Sequence, residues 1–242
     1  MDYKYLSDTV KIKKIKETST EGTFHVEGLY TGYGITIGNS LRRTLLSSLA
    51  GAAISQVKVK GVKHEFSTIP GMMEDVIEFT MNLKKVKFNF QAEEPQVLKL
   101  KVKGDKEVTA GDIESSALVE VINKKLHLAT LTDKKASLDV ELFIEKGRGY
   151  VPAENHDDKR FPVGAIVLDC VYSPVLNVNF SIENMRVGKH TDYDRLKITI
   201  ETDGSILPSH ALYQTSNILK DHFDKISVIY KPLKKGKKKS SK

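Results

Sequence analysis

The sequence has a single cysteine, Cys170, and no tryptophan among its 242 residues. One thiol excludes an internal disulfide and any multi-cysteine zinc site, and points to a reducing compartment. No apolar run approaches the roughly 20 residues of a membrane span, and residues 1–5 lack the apolar stretch of a secretory signal, so no membrane association is expected. Acid is missing from one place in particular: residues 231–242 hold seven lysines and no carboxylate side chain. The formal net charge is +7, but taking those seven from the 38 lysines and arginines leaves 31, equal to the 31 acidic residues. The body is therefore neutral. The basicity belongs to a tail whose composition cannot bury a core. Such a tail touches DNA weakly at most, by counterion release, or simply solubilises the terminus. The 40% hydrophobic and 29% charged content is that of an ordinary globular chain, long enough for one large domain or two modest ones.

What is present is an alternation of two periodicities. Period-two stretches at 57–60, 97–102, 137–142, 177–182 and 196–200 predict half-buried antiparallel strands, with weaker signals at 10–16 and 23–27. Three helices interrupt them. The first is expected from about 36 to 50, closed by Gly51 as a left-handed cap; Ile37, Leu41, Leu45 and Leu49 form its ridge, with Arg43 projecting away. The second, about 72–84, has Glu74 and Asp75 in its first turn and Lys84 at its end, as the helix dipole favours. The third begins after Pro208 and reaches about Ile226, with Leu212, Leu219 and Ile226 seven apart and Ser216 and Phe223 between them. The first and last ridges can pack on their own sheet, on each other or on a second copy. Periodicity leaves all three open.

No pattern supports catalysis. The glycines Gly32, Gly34 and Gly38 lie between a strand and a helix, but three residues separate the last two and no acid stands near position 54, so a dinucleotide loop is excluded and a tight turn is expected. His156, Asp157 and Asp158 are adjacent, and neighbouring side chains rarely converge on one ion, so a solvated loop is expected there. Cys170 sits in an apolar run with no base in view and reads as a small hydrophobe. The run from Gly147 to Tyr150 (GRGY) suits either RNA contact or a plain turn. No catalytic, cofactor-binding or metal-binding residue is expected.

Several longer segments together resemble the alpha subunit of bacterial and plastid DNA-directed RNA polymerases. They are GYGITIGNSLRRTLLSSL from Gly32, GVKHEFST from Gly61, EDVIE from Glu74, NLK from Asn82, GRGYVPA from Gly147, YSP from Tyr172, TDYDRL from Thr191 and ETDG from Glu201. They follow the family's order over most of the chain. The sequence departs from the family at residues 28–31, where a proline–leucine pair is usual, and around His156.

The resemblance implies an α+β fold in which a mostly antiparallel dimerisation subdomain with two amphipathic helices (1–50 plus 172–230) is interrupted by a mainly-β insertion (51–171), followed by the basic tail 231–242. It implies a homodimeric, non-catalytic scaffold of the nucleotidyltransferase, working in the cytoplasm or a plastid. The scaffold would recruit the beta and beta prime subunits, and magnesium would reside only in the catalytic partner. Ile37, Leu41, Leu45, Leu49, Leu212, Leu219 and Phe223 become candidates for the dimer seam. Arg43, Glu74, Asp75, Lys84, Gly149, Tyr150 and Ser173 become candidates for contact with the large subunits. Family members usually continue into a helical DNA-binding domain, which is not expected in this chain.

Overall fold

A computed structural model describes residues 7–62, 64–156 and 164–229; the readings at residues 1–5, at Asp157 and Asp158 and at 231–242 lie outside them. In chain order the first elements are β1 (Lys11–Glu17), β2 (Glu21–Leu29), α1 (Tyr33–Ser47), β3 (Ala50–Val59) and α2 (Val76–Leu83). Short strands follow: β4 (Phe88–Phe90), β5 (Gln96–Lys103), β6 (Lys106–Thr109), β7 (Val119–Val121) and β8 (His127–Leu131). The last group is β9 (Ser137–Arg148), β10 (Tyr150–Val151), β11 (Ile166–Val167), β12 (Cys170–Val171), β13 (Val175–Val187), β14 (His190–Thr202) and α3 (Pro208–Ser227).

Two four-stranded sheets organise the molecule, one in the order β1-β2-β14-β13 and one in the order β11-β3-β9-β5. Every pairing in both is antiparallel, so the fold is α+β as expected. The alternation in β14 drives the first sheet: Leu196, Ile198 and Ile200 are buried, while Arg195 and Lys197 face outward. Beneath them lies a core of Phe24, Leu41, Leu45, Leu49, Val178 and Leu212, joining α1 and α3 to residues from both ends of the chain. A second core, filled by Phe79, Leu83, Leu100, Leu128, Leu142 and Ile144 among others, takes all its buried members from 54–168. Buried apolar area is the main favourable term in folding, and here it is divided between two cores.

The glycines of the first helix serve its packing. Gly34 and Gly38 fall on the buried stripe with Leu41 and Leu45. A methyl group on Gly38 would stand 2.8 Å from the Phe180 ring, and one on Gly34 2.9 Å from an Asp194 carboxylate oxygen. Bare backbone is what lets α1 lie so close to β13 and β14. The helix ends at Ser47 with Ser48 as its cap, so the expected role of Gly51 is corrected. Gly51 is a residue of β3, and a side chain there would collide with the Tyr172 carbonyl oxygen. The second helix is also shorter than its dipole pattern suggested: Asp75 is its N-cap, and Met72 forms a β-bridge with Leu131 instead.

Candidate subunit-docking site

The first and last helices meet in space and contact each other. Neither supplies a side-chain cap of its own, Gly32 and Leu207 being the N-cap residues. The sheet supplies both. Asp194 of β14 accepts the N–H groups of Gly32 and Gly34, each at 2.9 Å. Glu17 of β1 accepts the N–H of Ser209 at 2.8 Å, and bonds from the Ser209 hydroxyl and Lys14 help hold its carboxyl at about 2. Carboxylates at helix N-termini satisfy orphan donors and complement the dipole. The capping thereby fixes the two helices against one sheet.

Between them runs an apolar groove with a cavity volume of about 690 Å³, bordered by Ile12, Val26, Ile37, Leu41, Leu212, Leu219 and Phe223. Beyond it α3 emerges from the body: every residue of 221–229 is exposed, including Phe223 at 61% and Ile226 at 65%. The seven seam candidates therefore divide. Ile37 and Leu219 are partly buried, Phe223 is open, and Leu41 and Leu212 sit at the groove floor. Leu45 (0%) and Leu49 (2%) are sealed in the protomer's own core, so their assignment to an outward seam is corrected. A four-residue ridge drifts around a helix of 3.6 residues per turn, which turns Leu45 toward the sheet, and Leu49 lies beyond the end of α1.

The seven large-subunit candidates divide as well. Lys84 pairs with Asp169 at 3.0 Å. The neighbouring Tyr150 and Val171 are register partners, both exposed, and the Tyr172 N–H donates to the Gly149 carbonyl at 2.8 Å. The Ser173 hydroxyl donates to the Leu46 carbonyl at 3.3 Å, on the turn of α1 after exposed Arg43. One segment, 169–173, thus includes Ser173 and joins Lys84, Gly149 and Tyr150, while Arg43 lies three residues before the Leu46 carbonyl that Ser173 holds. Asp75 stands at the opposite end of α2, accepting the Glu78 N–H at 2.7 Å.

Glu74 faces the other way. Its carboxylate is buried, accepts the Thr130 N–H at 2.7 Å and meets His127 Nε2 at 2.9 Å, so it is an internal strut and its surface role is corrected. His127 Nδ1 meets Glu107 at 2.9 Å. Both ring nitrogens face carboxylates, which favours the doubly protonated imidazolium. The bond to Glu74 raises the His127 pKa, burial opposes, and Glu107 adds to the rise. For Glu74, burial pushes upward but is outweighed by the Thr130 N–H and the His127 bond, and its pKa is lowered. Sequence reading missed this clamp and both borrowed caps, because their partners lie 20 to 192 positions apart.

Burial pushes the Cys170 thiol up to about 11, keeping it protonated and unreactive. Among the described residues no cluster of three or more histidine, cysteine or acidic side chains has the geometry for a metal, and no helix is long and apolar enough to cross a membrane.

The family model described as RNA polymerase Rpb3/RpoA insert domain matches residues 57–173. Proteins named DNA-directed RNA polymerase subunit alpha are similar over most of the chain. That of Symbiobacterium thermophilum is 49% identical over 87% of this chain and 66% of its own length. That of Alkaliphilus oremlandii is 47% identical over 89% and 68%, and that of Geobacter metallireducens 44% identical over 90% and 66%. The chain spans about two thirds of the length of these relatives. At that identity and coverage, with the insertion matched where the second core lies, the chain belongs to the DNA-directed RNA polymerase alpha subunit family.

Proposed function

We propose that two copies of this chain pair through the α1–α3 face and that the pair seats the beta and beta prime subunits of RNA polymerase. Nucleotide addition and its magnesium belong to those partners, in the cytoplasm or a plastid, and this chain serves as a scaffold. Residues 1–50 and 172–230 act as the dimerisation unit, 51–171 as the insertion and 231–242 as a basic tail. The observation that carries the reading is the groove beside a protruding apolar helix. Phe223 and Ile226 project where Ile37, Leu41 and Leu212 recede, so knob and hole lie on one surface, as a two-fold isologous interface requires. The contact surface for the large subunits is the patch around 169–173, where Arg43 offers a planar donor fork and Tyr150 an exposed aromatic anchor.

Light scattering and co-purification test both parts. Phe223→Glu should yield a monomer that fails to retain the large subunits, since a buried aromatic anchor contributes about 2 kcal/mol or more. Tyr150→Ala should leave the dimer intact and weaken retention alone. A dimer of wild-type affinity in the Phe223→Glu protein would refute the assignment.

A further inference from the structure

On the first sheet a chain of outward charges is paired, although Lys11 and Lys197 are in no ion pair among the described residues. Lys13 meets Glu27 at 2.8 Å, Glu27 meets Arg195 at 3.3 Å, and Arg195 meets Glu183 at 3.5 Å. The outer face of the insertion sheet is different. Lys99, Lys101 and Lys103 alternate with buried Leu98, Leu100 and Val102 along β5. Lys58 lies on β3, and Lys60 just beyond it donates its N–H to the Asp139 carbonyl at 3.0 Å. Between the two rows, β9 places Glu141 opposite both Lys58 and Lys99, Asp139 opposite Lys101, and Ser137 opposite Lys103. Five lysines thus face Glu141 and Asp139, with Glu114 bonded through its N–H to the Lys99 carbonyl at the outer edge of β5, and among the described residues none of the five is in an ion pair. A shallow depression of about 680 Å³ opens between Lys60, Lys101 and Lys103 over Ser137 and Asp139.

From this we infer that the outer face of the β3–β9–β5 sheet binds the phosphate backbone of duplex nucleic acid without reading its sequence. Lysines two residues apart on a strand recur at roughly 6.7 Å, and two rows separated by one intervening strand stand roughly 9.6 Å apart. That is a regular array of point charges, suited to a polymer of uniformly spaced anions more than to the irregular charges of an acidic protein segment. Lysine rather than arginine supplies every cation, which favours diffuse phosphate neutralisation over bidentate carboxylate recognition. Phe143, opposite Gln56 and Val97, is half-buried at the end of the array and not between its two lysine rows, which favours a duplex over a single strand stacked on aromatic side chains. The surface belongs to the second core, away from the α1–α3 face, so the dimer reading and this one fail independently.

The test uses the full chain and a fluorescent 30-base-pair duplex of arbitrary sequence. Lysine acetylation followed by mass spectrometry should show Lys60, Lys101 and Lys103 protected by the duplex. Protection should persist when Lys234, Lys235, Lys237, Lys238 and Lys239 are all replaced by glutamine, which separates the face from the tail. Combining Lys60→Glu, Lys101→Glu and Lys103→Glu should weaken binding roughly 10- to 100-fold and reduce the salt slope by about 2.7, at about 0.9 per lost phosphate contact. Protection confined to residues 231–242 would overturn the inference. So would protection by polyglutamate but not by the duplex at equal ionic strength, which would mark the face as a site for acidic protein.

Discussion

At the scale of single residues, this chain uses carboxylates as internal fasteners. Asp194 and Glu17 cap helices from neighbouring strands, Asp75 caps its own, and Glu74 ties the entry of α2 to β8. The Glu74–His127–Glu107 clamp has a defined pH window. The raised His127 pKa contributes stability that is complete below the ordinary histidine value and is lost as pH climbs through the raised one. The lowered Glu74 pKa contributes above the ordinary carboxylate value and is lost as pH falls through the lowered one. The clamp is therefore strongest between those limits. Replacing His127→Gln should lower Tm most near about pH 6, and the deficit relative to wild type should shrink toward about pH 9 as the native imidazolium discharges. A deficit that stays constant across that range would show that His127 acts by packing alone.

At the scale of the element, α1 performs two jobs with one amphipathic sequence. Its Gly34–Gly38–Leu41–Leu45 stripe seats it on the sheet, while Ile37 with the rim of Leu41 faces the groove shared with α3. The two faces should separate on mutation. Leu45→Ala, at a fully buried site, should cost about 2–5 kcal/mol in chemical denaturation yet leave the dimerisation constant of the folded fraction near wild type. Ile37→Ala should do the reverse, with a small loss of protomer stability and a larger loss of self-association by ultracentrifugation. If both substitutions weaken association equally, the division of faces is wrong. The strand positions were legible in the sequence, because alternation in stretches such as 97–102 and 196–200 reports a half-buried sheet directly. The span of α3 was legible from Pro208 and its seven-residue spacing. What stayed hidden depends on three-dimensional neighbours. Leu45 and Ile37 have the same residue class and period, and only the sheet beneath tells them apart. Gly51 resembles a helix cap in sequence and is a strand residue pressed against Tyr172. Glu74 resembles a surface acid favoured by a helix dipole and is bonded to a strand more than 50 positions later.

At the scale of the whole molecule, the division into two cores has a thermodynamic consequence. The core that carries α1 and α3 borders the groove, whereas the core of 54–168 makes no contribution to it. They are joined by short-range devices: the Lys87–Asp203 pair at 3.8 Å, the approach of Gly204 to Ile122, and the chain running directly from α1 into β3. Self-association stabilises only the parts ordered at the interface, and it does so by mass action. Scanning calorimetry should therefore resolve two overlapping transitions. Raising protein concentration should move the one containing α1 and α3 upward by several degrees and leave the other in place. Phe223→Glu should abolish the concentration dependence without shifting the second transition, because Phe223 touches none of that core. A single transition that rises as a unit with concentration would mean that the junction transmits dimer stability through the insertion. The face for a second copy and the face for nucleic acid would then lie on one cooperative unit, and either partner would raise the same transition by mass action.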